Sequence, residues 1–252
     1  MKRDTILVTG AAGRVAQQLL PGFDRGADVR RTDVEPADGD AGLLTGDLTD
    51  ADLLDRALDG VDAVVHLAGN PEPTAPWQQL QQPNVEGFVA LLAAAERHGV
   101  RRVVFASSVH AMGVYEGSGR WPVDPSWAPA PCCTYGATKA FDEALARAYA
   151  YRTGLSLVGL RLGLCSPDPT PDEARAGWLA PVDLRQIVRR AVEADVRFGV
   201  YSAVSWPSRR RWDLRTAMEE LGYEPVRDDS DEGADPAGDE HLSTCRSDGE
   251  RP

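Results

Sequence analysis

Two side chains in this 252-residue sequence are spaced for proton transfer, Tyr135 and Lys139. Residues four apart lie on the same face of a helix, one turn from each other. A lysine cation beside a phenol stabilises the phenolate, so the pair can accept or donate a proton at an alcohol or ketone. The spacing is informative because Lys2 and Lys139 are the two lysines of the chain.

A third candidate is Ser108, which with Ser107 follows an apolar run at residues 103–106 that we predict as a strand. Ligands of open α/β sheets bind beside the carboxyl ends of the strands. Ser108 is therefore predicted to hold the substrate oxygen beside Tyr135. The predicted catalytic residues are Ser108, Tyr135 and Lys139.

A glycine-rich turn, GAAGRVA, begins at residue 10, directly after an apolar run at residues 5–9. Glycines in a strand–turn–helix setting allow a tight turn and bring a pyrophosphate close to backbone N–H groups at the start of the helix. The turn predicts a dinucleotide site that includes Gly10, Ala12, Gly13, Arg14 and Val15.

Asp33 lies twenty residues after Gly13, at the end of a second predicted strand. A carboxylate there can accept hydrogen bonds from the adenosine ribose and would repel a 2′-phosphate. The position favours NAD(H) as the cofactor. Arg14, Arg30 and Arg31 are predicted to lie near this position, and NADP(H) stays open as the alternative if one of them faces the ribose.

These residues need elements to position them, and the sequence alternates strand and helix patterns. Strands are predicted at 5–9, 27–33, 62–67, 100–106 and 155–162, and helices at 14–20, 51–58, 84–98 and 135–152. Residues 109–115 are predicted as a loop. Repeated alternation predicts an α/β fold with a Rossmann-type, doubly wound parallel sheet.

The chain divides into three predicted parts. Residues 1–165 form the NAD(P)-binding Rossmann domain, and residues 166–226 form a small C-terminal substrate-binding part. The latter contains a Pro-rich loop at 166–171, a helix at 182–194 capped by Asp183, a strand at 198–204 and a helix at 211–221. Residues 227–252 hold nine acidic and three basic residues, half of the net charge of −12, and are predicted to be disordered.

Composition excludes several classes of function. The net charge of −12 disfavours a nucleic-acid surface. The sequence has no long apolar run typical of a membrane span and no signal-peptide pattern at its start, so a cytoplasmic location and no membrane partner are predicted. The four cysteines and four histidines have no ligand spacing, so no metal site is predicted.

Over about residues 4–226 the chain resembles the extended short-chain dehydrogenase/reductase superfamily. The resemblance is carried by the glycine turn, Asp33, residues 46–48 (GDL), residues 66–69 (HLAG), Asn84, the Ser107–Ser108 pair and the Tyr135–Lys139 spacing. Within that superfamily, residues 105–115 (FASSVHAMGVY), residues 160–169 (LRLGLCSPDP) and Trp178 resemble uronate dehydrogenases and related sugar dehydrogenases.

The resemblance implies further site residues. Cofactor contacts are implied for Asp47 and Leu48 beside the adenine, for Leu67, Ala68, Gly69 and Asn84, and for Lys139 at the nicotinamide ribose. Substrate contacts are implied for Asn70, Ser108, Val109, His110, Leu164 and Arg175. The resemblance also implies a homodimer, paired through helices 84–98 and 135–152.

Three departures from the uronate dehydrogenase pattern predict a different substrate. Val109 stands where the family has asparagine, and Leu164 stands where it has a small hydroxyl residue. The arginine that binds the sugar carboxylate is replaced by Glu173, with Arg175 two positions later. Loss of polar substrate contacts changes specificity strongly.

We therefore predict an NAD(P)(H)-dependent oxidoreductase that transfers hydride at a secondary alcohol or ketone of a small, polar, ring-shaped metabolite. The favoured interpretation is a biosynthetic ketoreductase acting on a sugar- or nucleoside-like ketone. The first alternative is a uronate or hexose-phosphate C1 dehydrogenase that forms a lactone. The second is a non-catalytic dinucleotide-binding sensor.

Overall fold

The structure is a computed structural model that describes residues 3–23, 26–36 and 41–226. The predicted acidic tail, residues 227–252, lies outside the described residues. Within the described ranges, none of the helices combines the length and the apolar character that crossing a bilayer requires.

The chain is organised around a parallel β-sheet. The strands in the described part of the chain are β1 (Thr5–Thr9), β2 (Asp28–Asp33), β3 (Leu43–Thr45), β4 (Ala63–His66), β5 (Arg102–Ser108), β6 (Ser156–Leu162), β7 (Leu164–Cys165), β8 (Trp178–Leu179) and β9 (Phe198–Ala203). Seven of these pair in parallel in the order β3-β2-β1-β4-β5-β6-β9, and β7 pairs with β8. The direction in which successive strands are added to the sheet reverses between β1 and β4. Open α/β sheets bind their ligands in the crevice at such a switch point. The predicted Rossmann-type fold is confirmed.

Helices cover both faces of the sheet. They are α1 (Arg14–Leu19), α2 (Ala51–Leu58), α3 (Trp77–Leu80), α4 (Gly87–Arg97), α5 (Gly113–Gly117), α6 (Thr134–Arg152), α7 (Pro171–Gly177), α8 (Pro181–Glu193) and α9 (Arg215–Leu221). A π-helix, Gln81–Glu86, leads into α4, and 3₁₀ helices occupy Val109–Met112 and Trp206–Arg210.

The strand side chains alternate between two apolar layers. Leu7 and Val64 pack with α2, α4 and α6 on one face, whereas Ile6, Val8 and Val65 pack with α1, α8 and α9 on the other. Both faces of β1 and β4 are buried, which explains why these strands are continuous apolar runs in the sequence.

The C-terminal segment contributes to this core as well as to the site. Strand β9 extends the main sheet beside β6, and Leu184 and Ile187 of α8 are buried in the layer shared with α1. The division of the chain at residue 165 stays a prediction.

Several local predictions were wrong or incomplete; for example, the helix predicted at 211–221 begins only at Arg215. The short strand β3 was missed, and residues 109–115, predicted as a loop, are helical. The helix predicted from residue 84 starts with the π-helix that contains Pro83, which has no N–H for regular helix bonding. Asp183 does not cap α8, because that helix already begins at Pro181; its buried carboxylate instead accepts a hydrogen bond from Ser205.

A buried ion pair joins α6 to the sheet. The Nε and Nη2 atoms of Arg161, on β6, each lie 2.8 Å from a carboxylate oxygen of Glu143, on α6. The hydroxyl of Ser107, on β5, donates to the same carboxylate at 2.6 Å, and Arg161 Nη1 donates to the Pro125 carbonyl at 3.0 Å. Because both side chains are buried, each charge depends on the other for compensation.

We expect Glu143→Leu to lower the free energy of unfolding by about 3–5 kcal/mol, because Arg161 would then be buried without a counterion. Urea unfolding followed by circular dichroism measures the change.

Two controls accompany this measurement. The double variant Glu143→Leu/Arg161→Met removes both charges and is expected to recover most of the loss. Asp55→Ala breaks the exposed pair with Arg97 and is expected to cost less than about 1 kcal/mol. A similarly small loss for Glu143→Leu would contradict the assigned role.

Candidate active site

One cleft of about 590 Å³ collects residues from the carboxyl ends of β1, β4, β5 and β6. It extends from the glycine turn to α6 and to the segment around α7. Its lining includes Gly10, Gly13, Arg14, Val15, Leu67, Ala68, Gly69, Asn70, Glu72, Ser108, Val109, His110, Tyr135, Lys139, Leu164, Asp172 and Glu173.

The glycine turn is forced by close packing of the backbone. Gly10 has φ +68°, and a Cβ there would lie 2.6 Å from the backbone nitrogen of Ala68. Helix α1 then starts after Gly13, which has no side chain to cap the N–H groups of the first turn. Such a turn beside a cleft suits the phosphates of a dinucleotide.

Asp33 ends β2 beside this turn. Its carboxylate accepts a hydrogen bond from the backbone N–H of Ala12 at 2.8 Å, which holds the acid at the turn. Arg30 points elsewhere, because its Nη1 donates to the carbonyls of Arg56, Ala57 and Asp59 at the end of α2.

Helix α6 presents Tyr135 and Lys139 on one face. The ammonium nitrogen of Lys139 lies 5.9 Å from the centroid of the Tyr135 ring, and both residues are buried. Cys133 caps the helix by accepting the N–H of Gly136 at 3.3 Å. The spacing of four residues therefore gives the predicted pairing of phenol and cation.

Ser108 and His110 form the wall opposite the start of α6. The Ser108 hydroxyl oxygen accepts the backbone N–H of His110 at 3.2 Å, which leaves its O–H available to a substrate oxygen. The His110 ring meets the Tyr135 ring edge-on, with centroids 5.6 Å apart. Burial lowers the pKa of His110, so its ring is neutral at pH 7.

Gly136 sets the distance between this wall and α6. A Cβ at Gly136 would lie 2.4 Å from the carbonyl oxygen of His110. The glycine therefore lets the first turn of α6 contact the chain just after Ser108, which brings Tyr135 and Ser108 into the same cleft.

The Lys139 charge is buried with an acidic neighbour, Asp142, whose Oδ2 lies 3.3 Å from Lys139 Nζ. Burial disfavours the ammonium, but the charges of Asp142, Tyr135 and Glu143 outweigh it and raise the pKa of Lys139. Burial raises the pKa of Asp142 to about 7, and Lys139 offsets this effect in part.

His66 lies at the base of the cleft as a neutral residue. Burial, with a smaller effect of Lys139, lowers its pKa to about 3. Its Nδ1 is 2.8 Å from the Thr9 hydroxyl, and its ring stacks on Phe88 with centroids 5.2 Å apart. His66 therefore adds no positive charge beside Lys139.

Asn84 holds the segment after β4 in place. Its Oδ1 accepts the N–H of Asn70 at 2.7 Å, and its Nδ2 donates to the Asn70 carbonyl at 3.0 Å and to the Thr138 hydroxyl at 3.2 Å. Both amide atoms of its side chain are thus used by protein groups. This arrangement orients Asn70 toward the cleft.

The part of the cleft around α7 is acidic. Asp172 and Glu173 line it, together with Glu72 from the segment after β4. The Glu173 carboxylate accepts the N–H and hydroxyl of Thr170 in a capping box. Arg175 does not line the cleft, and its Nη2 donates to Asp172 at 2.7 Å.

The structure brings together residues that the sequence interpretation regarded as scattered. His110 Nδ1 lies 3.6 Å from the sulfur of Cys132 and 3.5 Å from that of Cys133. Because Cys132 is disulfide-bonded, this group does not offer two thiolates to a metal ion. The 22-residue separation of His110 from Cys132 gave no signal of the contact.

Most of the predicted site residues line the cleft, but six do not. These are Ala12, Asp33, Asp47, Leu48, Asn84 and Arg175. Asp47 accepts hydrogen bonds from Thr49 and Gln82, and Leu48 packs in the core under α4. Their roles toward a cofactor or substrate stay predictions. Glu72, Asp142 and Asp172 were missed by the sequence interpretation.

Comparison with known proteins supplies a separate line of evidence. Residues 6–191 match the model of the NAD dependent epimerase/dehydratase family. An NAD-dependent glucose-6-phosphate dehydrogenase of Haloferax volcanii is 34% identical over 241 residues, covering 87% of this chain and 92% of that protein. An L-arabinose 1-dehydrogenase (NAD(P)(+)) of the same organism is 34% identical over 249 residues, covering 89% and 97%.

The fold of this chain is also similar to that of a solved structure. The uronate dehydrogenase of Agrobacterium tumefaciens, as a mutant complexed with NAD, superposes with a TM-score of 0.82 at 29% identity. The match covers 90% of this chain and 86% of that one. The resemblance indicated by the sequence motifs is confirmed.

We expect Gly136→Ala to lower the free energy of unfolding by about 1–3 kcal/mol, because the added methyl group overlaps the His110 carbonyl. It should also weaken dinucleotide binding by moving the start of α6. Urea unfolding and NADH fluorescence titration measure the two effects. Gly154→Ala is the matched control, because a Cβ there meets no atom within 4 Å. Equal behaviour of the two variants would contradict the proposed packing constraint.

Proposed function

The chain belongs to the NAD-dependent epimerase/dehydratase family, and we propose that it oxidises the C1 hydroxyl group of a cyclic sugar to a lactone with NAD as the acceptor. The observation that carries the proposal is the convergence of Ser108, Tyr135 and Lys139 with the glycine turn in one cleft. A dinucleotide site and a proton-transfer group are the two parts that hydride transfer at an alcohol requires.

The residues present fit a dinucleotide. The uncapped start of α1, the close Gly10 turn and the lining from Leu67 to Asn70 form one continuous wall that leads to Lys139. In this proposal the turn holds the pyrophosphate and Lys139 holds the nicotinamide ribose. When bound, the nicotinamide supplies a two-electron acceptor at the substrate carbon.

Proton transfer is assigned to this chain's own side chains. The Ser108 hydroxyl donates a hydrogen bond to the O1 oxygen of the sugar, and the Tyr135 phenolate accepts the proton of the C1 hydroxyl. The C1–H bond breaks as a hydride leaves with both electrons, and the C1–O bond becomes the lactone carbonyl. Lys139 stabilises the phenolate before the proton arrives.

Two contacts support NAD over NADP. The Asp33 carboxylate is held at the glycine turn by Ala12, where it would repel a 2′-phosphate. Arg30, one of the cations that kept NADP open, is bound to carbonyls at the end of α2. The names of the relatives agree, since two specify NAD and one allows NAD(P).

The relatives also favour the C1 dehydrogenase over the ketoreductase interpretation, because all three are named as dehydrogenases of aldose-type sugars. An enzyme is favoured over a sensor, since the cleft retains the three catalytic candidates. The predicted homodimer and the predicted cytoplasmic location stay predictions.

The charges of the cleft favour a neutral sugar over a uronate or a sugar phosphate. Asp172, Glu173 and Glu72 line the substrate end, and Arg175 pairs with Asp172 outside the lining. Of the cationic side chains in the described lining, Arg14 belongs to the glycine turn and Lys139 to the catalytic face. An anionic substituent would therefore meet carboxylates, and the repulsion is unfavourable although solvent screens these exposed groups.

We expect Tyr135→Phe to lower kcat by roughly 10²–10⁴-fold while NADH still binds, because the variant loses the proton acceptor but keeps the ring. Stopped-flow absorbance of NADH formation and NADH fluorescence titration measure the two properties. Tyr151→Phe is the matched control on the same helix, since Tyr151 is 87% exposed and remote from the cleft. Retained turnover in Tyr135→Phe would remove Tyr135 from the mechanism.

We expect neutral aldoses such as L-arabinose and D-glucose to have a kcat/KM at least about tenfold above glucuronate, galacturonate and glucose 6-phosphate. The assay follows NADH formation with NAD and, in parallel, NADPH formation with NADP. Asp172→Asn is expected to lower the ratio of kcat/KM for neutral sugars to kcat/KM for anionic sugars several-fold. Asp168→Asn, whose side chain does not line the cleft, should leave this ratio unchanged. Faster turnover of the anionic sugars by the unmodified protein would contradict the neutral-substrate assignment.

A further inference from the structure

Asp142 is a buried acid beside Lys139 that has no role in the proton transfer described above. The Asp142 side chain lies on α6, three residues after Lys139, and is 1% exposed. Its Oδ2 is 3.3 Å from Lys139 Nζ, whereas its Oδ1 is buried and has no hydrogen-bond partner among the described residues. A buried carboxylate oxygen without a hydrogen bond lowers the stability of the fold, so its presence calls for an explanation.

We propose that Asp142 is a positioning residue that controls, through Lys139, how strongly the site stabilises the Tyr135 phenolate. This inference rests on the proposed role of Tyr135 as the proton acceptor. A single cation next to a phenol stabilises the phenolate, and a carboxylate next to the cation cancels part of that stabilisation. The same carboxylate holds the ammonium by a hydrogen bond.

The other charged groups around α6 leave Asp142 as the main counterion of Lys139. Glu143 follows it on the helix, but the guanidinium of Arg161 from β6 binds both oxygens of Glu143. His66 from β4 and His110 from the segment after β5 have lowered pKa values and are neutral near pH 7. Helix α4 contributes apolar residues such as Phe88 and Leu91 to this side of the sheet.

The consequence is a site whose charge changes within the physiological range. Burial raises the pKa of Asp142 to about 7, so the carboxyl is neutral below that pH and ionised above it. Below pH 7 the Lys139 charge acts fully on Tyr135, and above pH 7 Asp142 opposes it. Oxidation needs the phenolate, so ionised Asp142 moves the rise in activity to higher pH.

The first test follows Lys139 directly and requires neither substrate nor cofactor. Because the chain has two lysines, protein labelled with ¹³C-lysine gives signals from Lys2 and Lys139 alone. We expect the ε-carbon signal of Lys139 to shift with a midpoint near pH 7 and this step to disappear in Asp142→Asn. Asp183→Asn, which removes another buried acid that does not line the cleft, should retain the step.

The second test follows Tyr135, also without substrate. The ultraviolet absorbance of tyrosinate is titrated in the full-length protein, and the titration of Tyr135→Phe is subtracted to isolate Tyr135. In the Asp142→Asn background we expect the Tyr135 signal to appear about one pH unit lower, since a nearby negative charge has been removed. In the Asp183→Asn background, the pH at which the Tyr135 signal appears should be unchanged.

The third test uses turnover. With the best sugar of the substrate panel, kcat/KM of Asp142→Asn should rise with pH about one unit earlier. On the part of the rising limb above pH 7, where Asp142 is ionised in the unmodified protein, this is about a tenfold higher kcat/KM. Asp142→Ala should shift the profile in the same direction, although its kcat is expected to fall because the ammonium loses its hydrogen-bond partner.

The outcomes separate this inference from the proposed function. Absence of the Lys139 step, its persistence in Asp142→Asn, or an unmoved Tyr135 titration would overturn the role of Asp142. A lower kcat with an unmoved pH profile would assign Asp142 a structural role only and would also overturn it. If no sugar is oxidised while both substrate-free titrations behave as expected, the proposed function fails and the electrostatic coupling stands. If Asp142→Asn does not fold, the Lys139 titration of the unmodified protein decides.

Discussion

The burial of one ammonium group, that of Lys139, constrains most of the surrounding structure. A cation removed from water requires compensation by hydrogen bonds and by negative charge. Here the compensation comes from Asp142 at 3.3 Å and from the phenol one helical turn away. Glu143 is meanwhile bound by Arg161, and His66 stays neutral. The ionisable groups of α6, β6 and β4 are thus arranged around one nitrogen atom.

The same requirement explains the packing of α6. The helix must approach β5 closely for the phenol to share a cleft with Ser108, and Gly136 allows that contact with the His110 carbonyl. The Arg161–Glu143 pair then joins the next turn of the helix to β5 and β6. One helix is therefore fixed at two points, with Lys139 between them. Rigid placement of this kind is what proton transfer over a short distance requires.

The sequence predicted the parts of this arrangement that depend on local patterns. The apolar run of β1, the glycine turn after it and the four-residue spacing of Tyr135 and Lys139 each follow from short-range geometry, so the fold and the shared helix face of Tyr135 and Lys139 were predictable. Strand β3 was missed because its three residues, Leu43–Thr45, are too few to show a period. The contact of His110 with Cys132 and Cys133 joins distant parts of the chain. Asp142 has the spacing of a lysine partner, but its burial depends on residues of other elements, which no local pattern reveals.

The end of the cleft around α7 is acidic, unlike the end that holds Tyr135 and Lys139, and under the proposed function it selects the substrate. Val109 is buried and Leu164 is partly exposed at positions for which the sequence resemblance predicts polar residues, and neither side chain can form a hydrogen bond to a sugar. Glu173 stands at the position expected for a carboxylate-binding arginine, and its charge is held in place by the start of α7. Under the proposed function, discrimination against anionic sugars then arises from repulsion rather than from an additional attractive contact. Ser108, His110 and Asn70 are left to recognise the hydroxyl groups of the ring. Under the proposed function, a neutral sugar meets no repulsion at the acidic end, whereas a uronate would lie beside three solvent-exposed carboxylates, one of them paired with Arg175. Because this repulsion is present in the ground state and the transition state alike, it raises KM and lowers kcat/KM but leaves kcat unchanged.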